Sequence, residues 1–233
     1  MGTWRSCGIS LAFLCALACD DKTDGLMPFC PGQGREMAAL VDPMIGTAGP
    51  GNAIPGALLP HGMVKLSPDT VVEDMSVDAY EYRSDRIEGF SHTHLEGPGG
   101  GANGYSHILL LPTTGPLNLD PESRPSHYNH LSAEAWPGYY AVSLSTYGVR
   151  AELAATAHGG MHRYTYSSQQ PARVILDLGH SRGESRGGWL NIGADSIQGM
   201  GEYNVHPLLG LLLSRPDDVT GGSRVYLRAS FSP

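Results

Sequence analysis

Charged residues are scarce in this chain, and those present are mostly acidic. Lysine, arginine, aspartate and glutamate make up 16% of the 233 residues, against about 25% in an average soluble domain. The formal net charge is −8, and no stretch is basic enough to bind a phosphate backbone. We therefore expect no nucleic acid among the partners of this protein.

Long helical patterns are also missing. Glycine (31 residues) and proline (17 residues) are frequent, and they indicate many turns. Apolar and polar residues alternate instead, as in residues 149–153 and in Tyr140, Val142 and Leu144. This alternation predicts short strands with one face on a core, and hence an all-β, antiparallel β-sandwich. The strand pattern continues to Ser230 without a closing turn, which favours a truncated sandwich.

Cysteine is confined to the first thirty residues, so the rest of the chain has no disulfide. Residues 1–18 predict a secretory signal peptide. Arg5 precedes a twelve-residue apolar run, Cys7 to Ala18, which is too short to cross a membrane. We expect an exported protein that is periplasmic, bound to the cell surface or secreted.

The processing of the predicted signal leaves two possibilities open. Signal peptidase can cleave after the A-x-A sequence that ends at Ala18, whereas a lipoprotein would carry its lipid on Cys19 and be anchored to a membrane. Residues 19–38 are polar and turn-rich and predict a tether, and residues 39–233 predict the folded domain. Without a lipid, Cys19 and Cys30 can close a small loop in an oxidising compartment.

The segment from Glu88 to Pro112 carries the strongest functional signal. In EGFSHTHLEGPGGGANGYSHILLLP, His92, His94 and Glu96 share a parity, so an extended chain would project all three to one side. The glycines that follow allow a ligand to approach the main chain closely. The apolar run 108–111 predicts a buried strand.

Two kinds of binding site fit these side chains, besides a plain glycine-rich loop. Alternate histidines with a carboxylate can bind zinc, but neither an H-E-x-x-H nor a C-x-x-C motif accompanies them. Imidazole and carboxylate groups also form hydrogen bonds with sugar hydroxyls, while aromatic rings stack on a sugar. Tyr80, Tyr82 and Tyr105 flank the segment, and we favour the sugar site.

A second glycine-rich segment, IGTAGPGNAIPG, spans residues 45–56. It lacks the Gly-Lys-Ser/Thr ending and the following helix of a phosphate-binding loop, so nucleotide binding is not expected. The segment predicts a tight surface loop beside a pocket, with the Asn52 amide towards a ligand.

Groups for direct catalysis are not apparent. The acidic residues between Asp69 and Asp85 include no pair with a spacing that indicates glycoside hydrolysis, and we expect them to form a solvated face. Ser91 and His92 are neighbours on a predicted strand and point to opposite faces, which excludes a Ser–His dyad there.

Several segments between Leu40 and Pro233 are more specific than generic turns. They are VDPMIGTAGPGNAIPGALLPHGMVKLSPDT, IEGFSHTHLEGPGGGANGYSHILLLPT, PGYYAVSLSTYGVRAELAAT with MHRYTY, RVILDLGHS and GEYNVHPL. In this order they resemble the N-terminal domain of glycoside hydrolase family 92, the exo-acting α-mannosidases.

The resemblance implies a two-domain enzyme in which an antiparallel β-sandwich packs against a C-terminal (α/α)6 helical barrel, with the mannose pocket between them. It implies a calcium-dependent, inverting hydrolase in which a glutamic acid protonates the leaving oxygen and an aspartate activates water. Both carboxylates and most calcium ligands would lie in the barrel. We therefore expect no catalytic residue in this chain, no metal held by it alone, and no activity of the isolated chain.

The resemblance also assigns two loops, Gly46–Gly56 and His92–Gly104, to one wall of the pocket. The substrate-binding residues expected on this basis are Gly49, Asn52, His92, His94, Glu96, Gly97 and Asn103. The expected partners are mannose-containing glycans and the helical barrel. Two alternatives stay open, namely a stand-alone carbohydrate-binding sandwich and a purely structural surface lipoprotein.

Overall fold

The computed structural model describes residues 37–72, 79–95, 105–204 and 222–232. By its contacts the chain divides into residues 1–38 and 39–233, and all the strands below lie in the second unit. They are β1 (Ala57–Leu58), β2 (Lys65–Thr70), β3 (Arg86–Ser91), β4 (Leu109–Thr114), β5 (Ser126–His127), β6 (Glu134–Trp136), β7 (Tyr139–Leu144), β8 (Val149–Ala155), β9 (Gly160–Tyr166), β10 (Ala172–Asp177), β11 (Glu184–Ile192), β12 (Ser196–Asn204) and β13 (Ser223–Ser230). No helix in these ranges is long and apolar enough to span a bilayer.

The strands form three sheets, and the pairs in each are antiparallel. The first sheet has the order β1-β2-β3-β4-β10, with β5 paired to β3, and the second has the order β6-β7-β8-β9. The third is the meander β11-β12-β13. The predicted all-β, antiparallel fold is confirmed.

The first two sheets pack face to face, since β7 and β8 contact β1, β2 and β4. Alternation decides which side chains are inside: Val149, Ala151 and Leu153 are buried, whereas Arg150 and Glu152 point outward. Burying a valine or leucine side chain such as Val149 or Leu153 contributes about 1.5–3 kcal/mol. The remaining members of the shared core are Ala57, Leu66, Ile87, Phe90, Leu111, Tyr128, Tyr140, Val142, Leu144 and Ile175. The predicted β-sandwich is thus confirmed.

A β-bulge interrupts the pairing of β2 with β3 at Asp69 and Thr70. Its partner residue Gly89 has a φ of 154°, and a Cβ there would lie 2.7 Å from the Leu109 side chain. Glycine is needed because Leu109 of β4 packs directly on this backbone. Bulges re-aim the side chains beside them, and Asp69 is one of these side chains.

An aromatic residue of the third sheet packs on the segment that precedes β4. Tyr203 of β12 is fully buried, and its hydroxyl donates a hydrogen bond to the Leu178 carbonyl at 2.8 Å. Its ring stacks on His107, with the centroids 4.0 Å apart. This contact fixes the segment that leads into β4.

Among the buried tyrosines of the described ranges, Tyr80, Tyr128 and Tyr140 differ in the pairing of their hydroxyls. The Tyr80 and Tyr128 hydroxyls are 3.3 Å apart and share a hydrogen bond. The Tyr140 hydroxyl is buried and has no hydrogen-bond partner within the described ranges. A buried polar group without a partner reduces stability.

Replacing Tyr140 with phenylalanine should therefore raise the free energy of unfolding, by about 1–3 kcal/mol, because it removes an unpaired hydroxyl from the core. Tyr80→Phe is the matched control, since it deprives Tyr128 of its partner and should lower the same quantity. Urea denaturation followed by fluorescence measures both. A loss in Tyr140→Phe as large as that in Tyr80→Phe would contradict the prediction and indicate an internal water.

Candidate functional site

The segment after β3 carries both predicted histidines, and the structure gives their side chains different partners. Strand-like pairing continues through His92, whose N–H donates to the His107 carbonyl and whose carbonyl accepts from the Lys65 N–H, both at 3.1 Å. The alternation then breaks, because His94 Nε2 lies 3.0 Å from Ser91 Oγ. Residues 91 and 94 would face opposite sides of a strand. The expectation that His92 and His94 share one side is therefore wrong.

Asp69 is the centre of a buried polar cluster. It is fully buried on β2, and its two carboxylate oxygens lie 2.8 Å from His94 Nε2 and 2.7 Å from His180 Nε2. Ser91 Oγ donates to the same carboxylate at 3.1 Å. Burial raises the pKa of Asp69, but the charge of His94 and the hydrogen bonds from His180 and His94 outweigh it and hold the pKa well below its usual range. The carboxylate is ionised.

His94 is the counter-charge of Asp69. Its Nδ1 lies 2.7 Å from the Lys65 carbonyl oxygen, which can only accept a hydrogen bond. Its Nε2 faces the ionised carboxylate. Both ring nitrogens therefore donate, so the ring is protonated and forms a buried ion pair that fixes its orientation.

The burial of Asp69 corrects the sequence-based expectation that the acidic residues from 69 to 85 form a solvated face. Asp85 does face solvent, with 71% of its side chain exposed. Asp69 differs because its partner His180 comes 111 residues later in the chain. No local pattern around Asp69 indicates this partner.

His92 belongs to a second group, which joins the two sheets of the sandwich. Its Nδ1 donates to the Ile108 carbonyl at 2.6 Å, and its Nε2 lies 3.1 Å from Nε2 of His162 on β9. The Tyr164 hydroxyl is 2.8 Å from the other ring nitrogen of His162. One arrangement of protons satisfies every contact: Tyr164 donates to His162, His162 donates to His92, and His92 donates to Ile108.

Both rings of this pair are neutral. Burial lowers the pKa of His92 below its ordinary value, and burial together with the neighbouring His92 lowers the pKa of His162 well below it. Protonation of both rings would put two donors face to face at 3.1 Å. The two histidines of the GFSHTHL segment thus have opposite charge states, His94 being charged and His92 neutral.

The backbone that receives the His92 hydrogen bond is strained. Ile108 has a φ of 60° and Ser106 a φ of 67°, in the left-handed region that β-branched residues rarely adopt. Such strain clusters at functional sites. Here it directs the Ile108 carbonyl towards His92. The predicted buried strand follows immediately, as β4.

The other predicted loop residues lie on a separate turn. Residues Gly49–Gly51 form a single 3-10 turn that ends at Asn52, in the left-handed conformation. The Gly49 N–H donates to the Glu81 carboxylate at 2.9 Å. Asn52 is only 5% exposed, so its side chain is buried.

Four predicted residues, Glu96, Gly97, Asn103 and the lipidation candidate Cys19, lie outside the described residues. Sequence reasoning missed the importance of Asp69, His162 and His180. His162 offered a signal, because a histidine alternates with two tyrosines on the inward face of a strand. Nothing local marked His180.

The zinc hypothesis for His92, His94 and Glu96 gains no support from the side-chain geometry. The two histidines diverge, and His94 is committed to Asp69. Within the described ranges, no group of three or more His, Cys, Asp or Glu side chains could bind a metal ion.

Comparison with known proteins identifies the family of this chain. The model of the glycosyl hydrolase family 92 N-terminal domain matches residues 40–232. The chain belongs to this family.

Relatives of this family 92 domain include solved structures. The alpha-mannosidase BT3965 from Bacteroides thetaiotaomicron, in complex with mannoimidazole, is 30% identical over 84% of this chain and 25% of its own, with a TM-score of 0.71. The family 92 glycosyl hydrolase ccman5 is 27% identical over 72% of this chain and 24% of its own, with a TM-score of 0.60. An uncharacterized secreted glycosidase from Arthroderma benhamiae is 31% identical over 188 residues, which are 76% of this chain and 24% of the relative. The family 92 domain thus spans about a quarter of the length of these relatives.

Replacing Asp69 with asparagine should lower the free energy of unfolding of the family 92 domain by about 3–5 kcal/mol, since it leaves the His94 charge buried without its partner. Urea denaturation at pH 7 measures the loss. Asp85→Asn is the control, because the Asp85–His127 pair is mostly exposed and such pairs contribute little. Equal, small effects of the two substitutions would show that Asp69 and His94 do not form a buried ion pair.

The neutral histidine pair predicts acid sensitivity. The pKa values of His92 and His162 are lowered from 6.5 in the folded state, so below this pH the unfolded chain binds protons first. The free energy of unfolding should fall as the pH drops below 6.5, by up to about 1.4 kcal/mol per pH unit for each histidine.

Denaturation midpoints between pH 7 and pH 5 test this slope. His162→Gln removes one titrating ring and should flatten it, whereas Tyr164→Phe keeps both rings and should retain it. A slope that is the same in His162→Gln and in Tyr164→Phe would refute the assignment.

Proposed function

We propose that this chain is the N-terminal, pocket-forming domain of an exported, calcium-dependent, inverting α-mannosidase that removes terminal α-mannose from glycans. The observation that carries the proposal is the 30% identity over 84% of the chain to a family 92 alpha-mannosidase studied with mannoimidazole. The contacts of the described side chains are compatible with this role.

The proposed contribution of the chain is to bind and orient sugar. His92 and His162 are only partly buried, and we propose that a sugar hydroxyl takes the place of one imidazole in their 3.1 Å contact, since a neutral imidazole can donate to a hydroxyl or accept from it. His94 is fixed by Asp69 at the start of the glycine-rich stretch. We propose that the loops Gly46–Gly56 and His92–Gly104 form one wall of the mannose pocket.

The hydrolytic carboxylates are proposed to lie in the rest of the enzyme. The described carboxylates near the histidines already have partners: Asp69 holds two histidines, Glu81 accepts from the Gly49 N–H, and Glu88 pairs with Arg182 at 2.9 Å. A general base needs a free lone pair directed at water. We propose that the isolated chain has no hydrolase activity.

Calcium is proposed for the whole enzyme only. The described carboxylates do not converge into a set of oxygen ligands, so they do not fit the six to eight oxygen ligands that calcium takes. The proposed contact of sugar with the histidine pair does not involve the calcium ion.

Export is part of the proposal. It rests on the apolar run in residues 7–18 and on the name of the Arthroderma relative, a secreted glycosidase. Membrane anchorage through a lipid on Cys19 and cleavage without lipidation remain alternative outcomes of processing, and mass spectrometry of the mature N-terminus distinguishes them.

Assays of two proteins test the mannosidase proposal. The product of the full coding region should release β-mannose first from α-mannobiose, as followed by NMR, and should lose this activity with EDTA. The 233-residue chain should release none. In the full protein, His92→Ala should lower kcat/KM about 100-fold, while His127→Ala, a change at an exposed histidine on β5, should not. The absence of mannose release would refute the mannosidase activity. An α-anomer as first product would refute the inverting mechanism, and hydrolysis by the 233-residue chain would refute the inactivity of the isolated chain.

A further inference from the structure

The outer face of the second sheet carries a stacked pair of aromatic rings. Trp136 and Tyr139 are partners across the β6–β7 hairpin, with ring centroids 4.5 Å apart and planes within 10° of each other. Pro137 and Gly138 form the turn, and Gly138 takes the left-handed φ of 80° that follows proline in a type II turn. Trp136 is 47% exposed. Because Tyr139 covers one face of the indole, the opposite face is open to solvent.

The pair is held in place by a chain of polar contacts. The Tyr139 hydroxyl donates to Glu152 Oε1 at 2.8 Å, and Arg163 donates to both oxygens of Glu152, at 2.6 and 2.5 Å. A platform that is fixed before a ligand arrives loses little conformational entropy on binding.

Two parallel rows of residues cross this face of the sheet. Strand register places Trp136, Tyr139, Ala154 and Met161 in one apolar row. The next row along the strands consists of Glu134, Ala141, Glu152 and Arg163. Arg150 pairs with Glu134 at 2.5 Å, so two carboxylates and two guanidinium groups balance in charge beside the apolar row.

We propose that this surface, the Trp136 platform, binds a neutral saccharide. A sugar ring has an apolar C–H face and a rim of hydroxyls, and the open indole face takes the first while the polar row takes the second. The balanced charges disfavour an ionic polymer. A single row of four apolar residues also offers less area than the ~800 Å² per partner that a stable protein interface buries.

The Trp136 platform is separate from the histidine pair. On β9 the side chains alternate, so that His162 and Tyr164 face the core while Met161 and Arg163 face outward. A saccharide on the platform therefore leaves His92 and His162 accessible. The platform is a second sugar contact beyond the proposed pocket, and it does not depend on which sugar the pocket takes.

Titration of the 233-residue chain with soluble α-mannan and, separately, with dextran tests the platform. With ¹⁵N-labelled tryptophan, the indole N–H signal of Trp136 should shift saturably, and that of Trp189, another half-exposed tryptophan on β11, should not. Unmoved Trp136 with both glycans would overturn the proposal. Broadening of the Trp136 signal with protein concentration alone would also overturn it, since a second copy would then cover the ring.

Affinity electrophoresis in glycan-containing gels compares two matched variants. Trp136→Ala should weaken retardation at least tenfold, while Trp189→Ala should behave as wild type, and equal melting temperatures would confirm intact folds. Equal losses in both variants would refute a specific platform. Binding of dextran without mannan would still support the Trp136 platform as a saccharide site, and it would leave the mannose specificity of the proposed pocket untouched, so the two proposals can fail separately.

Discussion

The buried charge of Asp69 is the constraint on which the candidate site depends. A carboxylate removed from water is stable only with strong donors, and the fold supplies His94 from one side and His180 from the other. Two residues beyond His180, the N–H of Arg182 donates to the Tyr105 carbonyl at 2.8 Å. The described residues that flank the glycine-rich stretch, at its start and at its end, are thereby tied to the same carboxylate.

The alternation of apolar residues was sufficient to predict the sandwich, because a strand with one buried face repeats every two residues. Val149, Ala151 and Leu153 illustrate this, and the core lies where the pattern indicates. The same rule failed at His92 and His94. The chain leaves the regular strand here, and hydrogen bonds to the Lys65 carbonyl and to Asp69 fix the His94 side chain instead. Asp69 and His180 could not be paired in advance, since 111 residues separate them and only the finished topology brings them together.

Within three residues, the site contains one charged histidine and one neutral histidine. His94 is charged because it lies between a carboxylate and a carbonyl, and it serves to fix the chain. His92 is neutral because burial lowers the pKa of its ring, and its two nitrogens pair with the Ile108 carbonyl and with His162. Two histidines separated by one residue thus differ in charge and in partners.

The left-handed conformation of Ile108 has a consequence for sequence variation. Glycine or asparagine would relieve the local strain at this position, so selection for stability alone would replace the isoleucine. The strained residue is also the one whose carbonyl accepts the His92 hydrogen bond, so a change of backbone conformation at Ile108 would move this acceptor. A stabilising glycine at this position would therefore loosen the orientation of the imidazole.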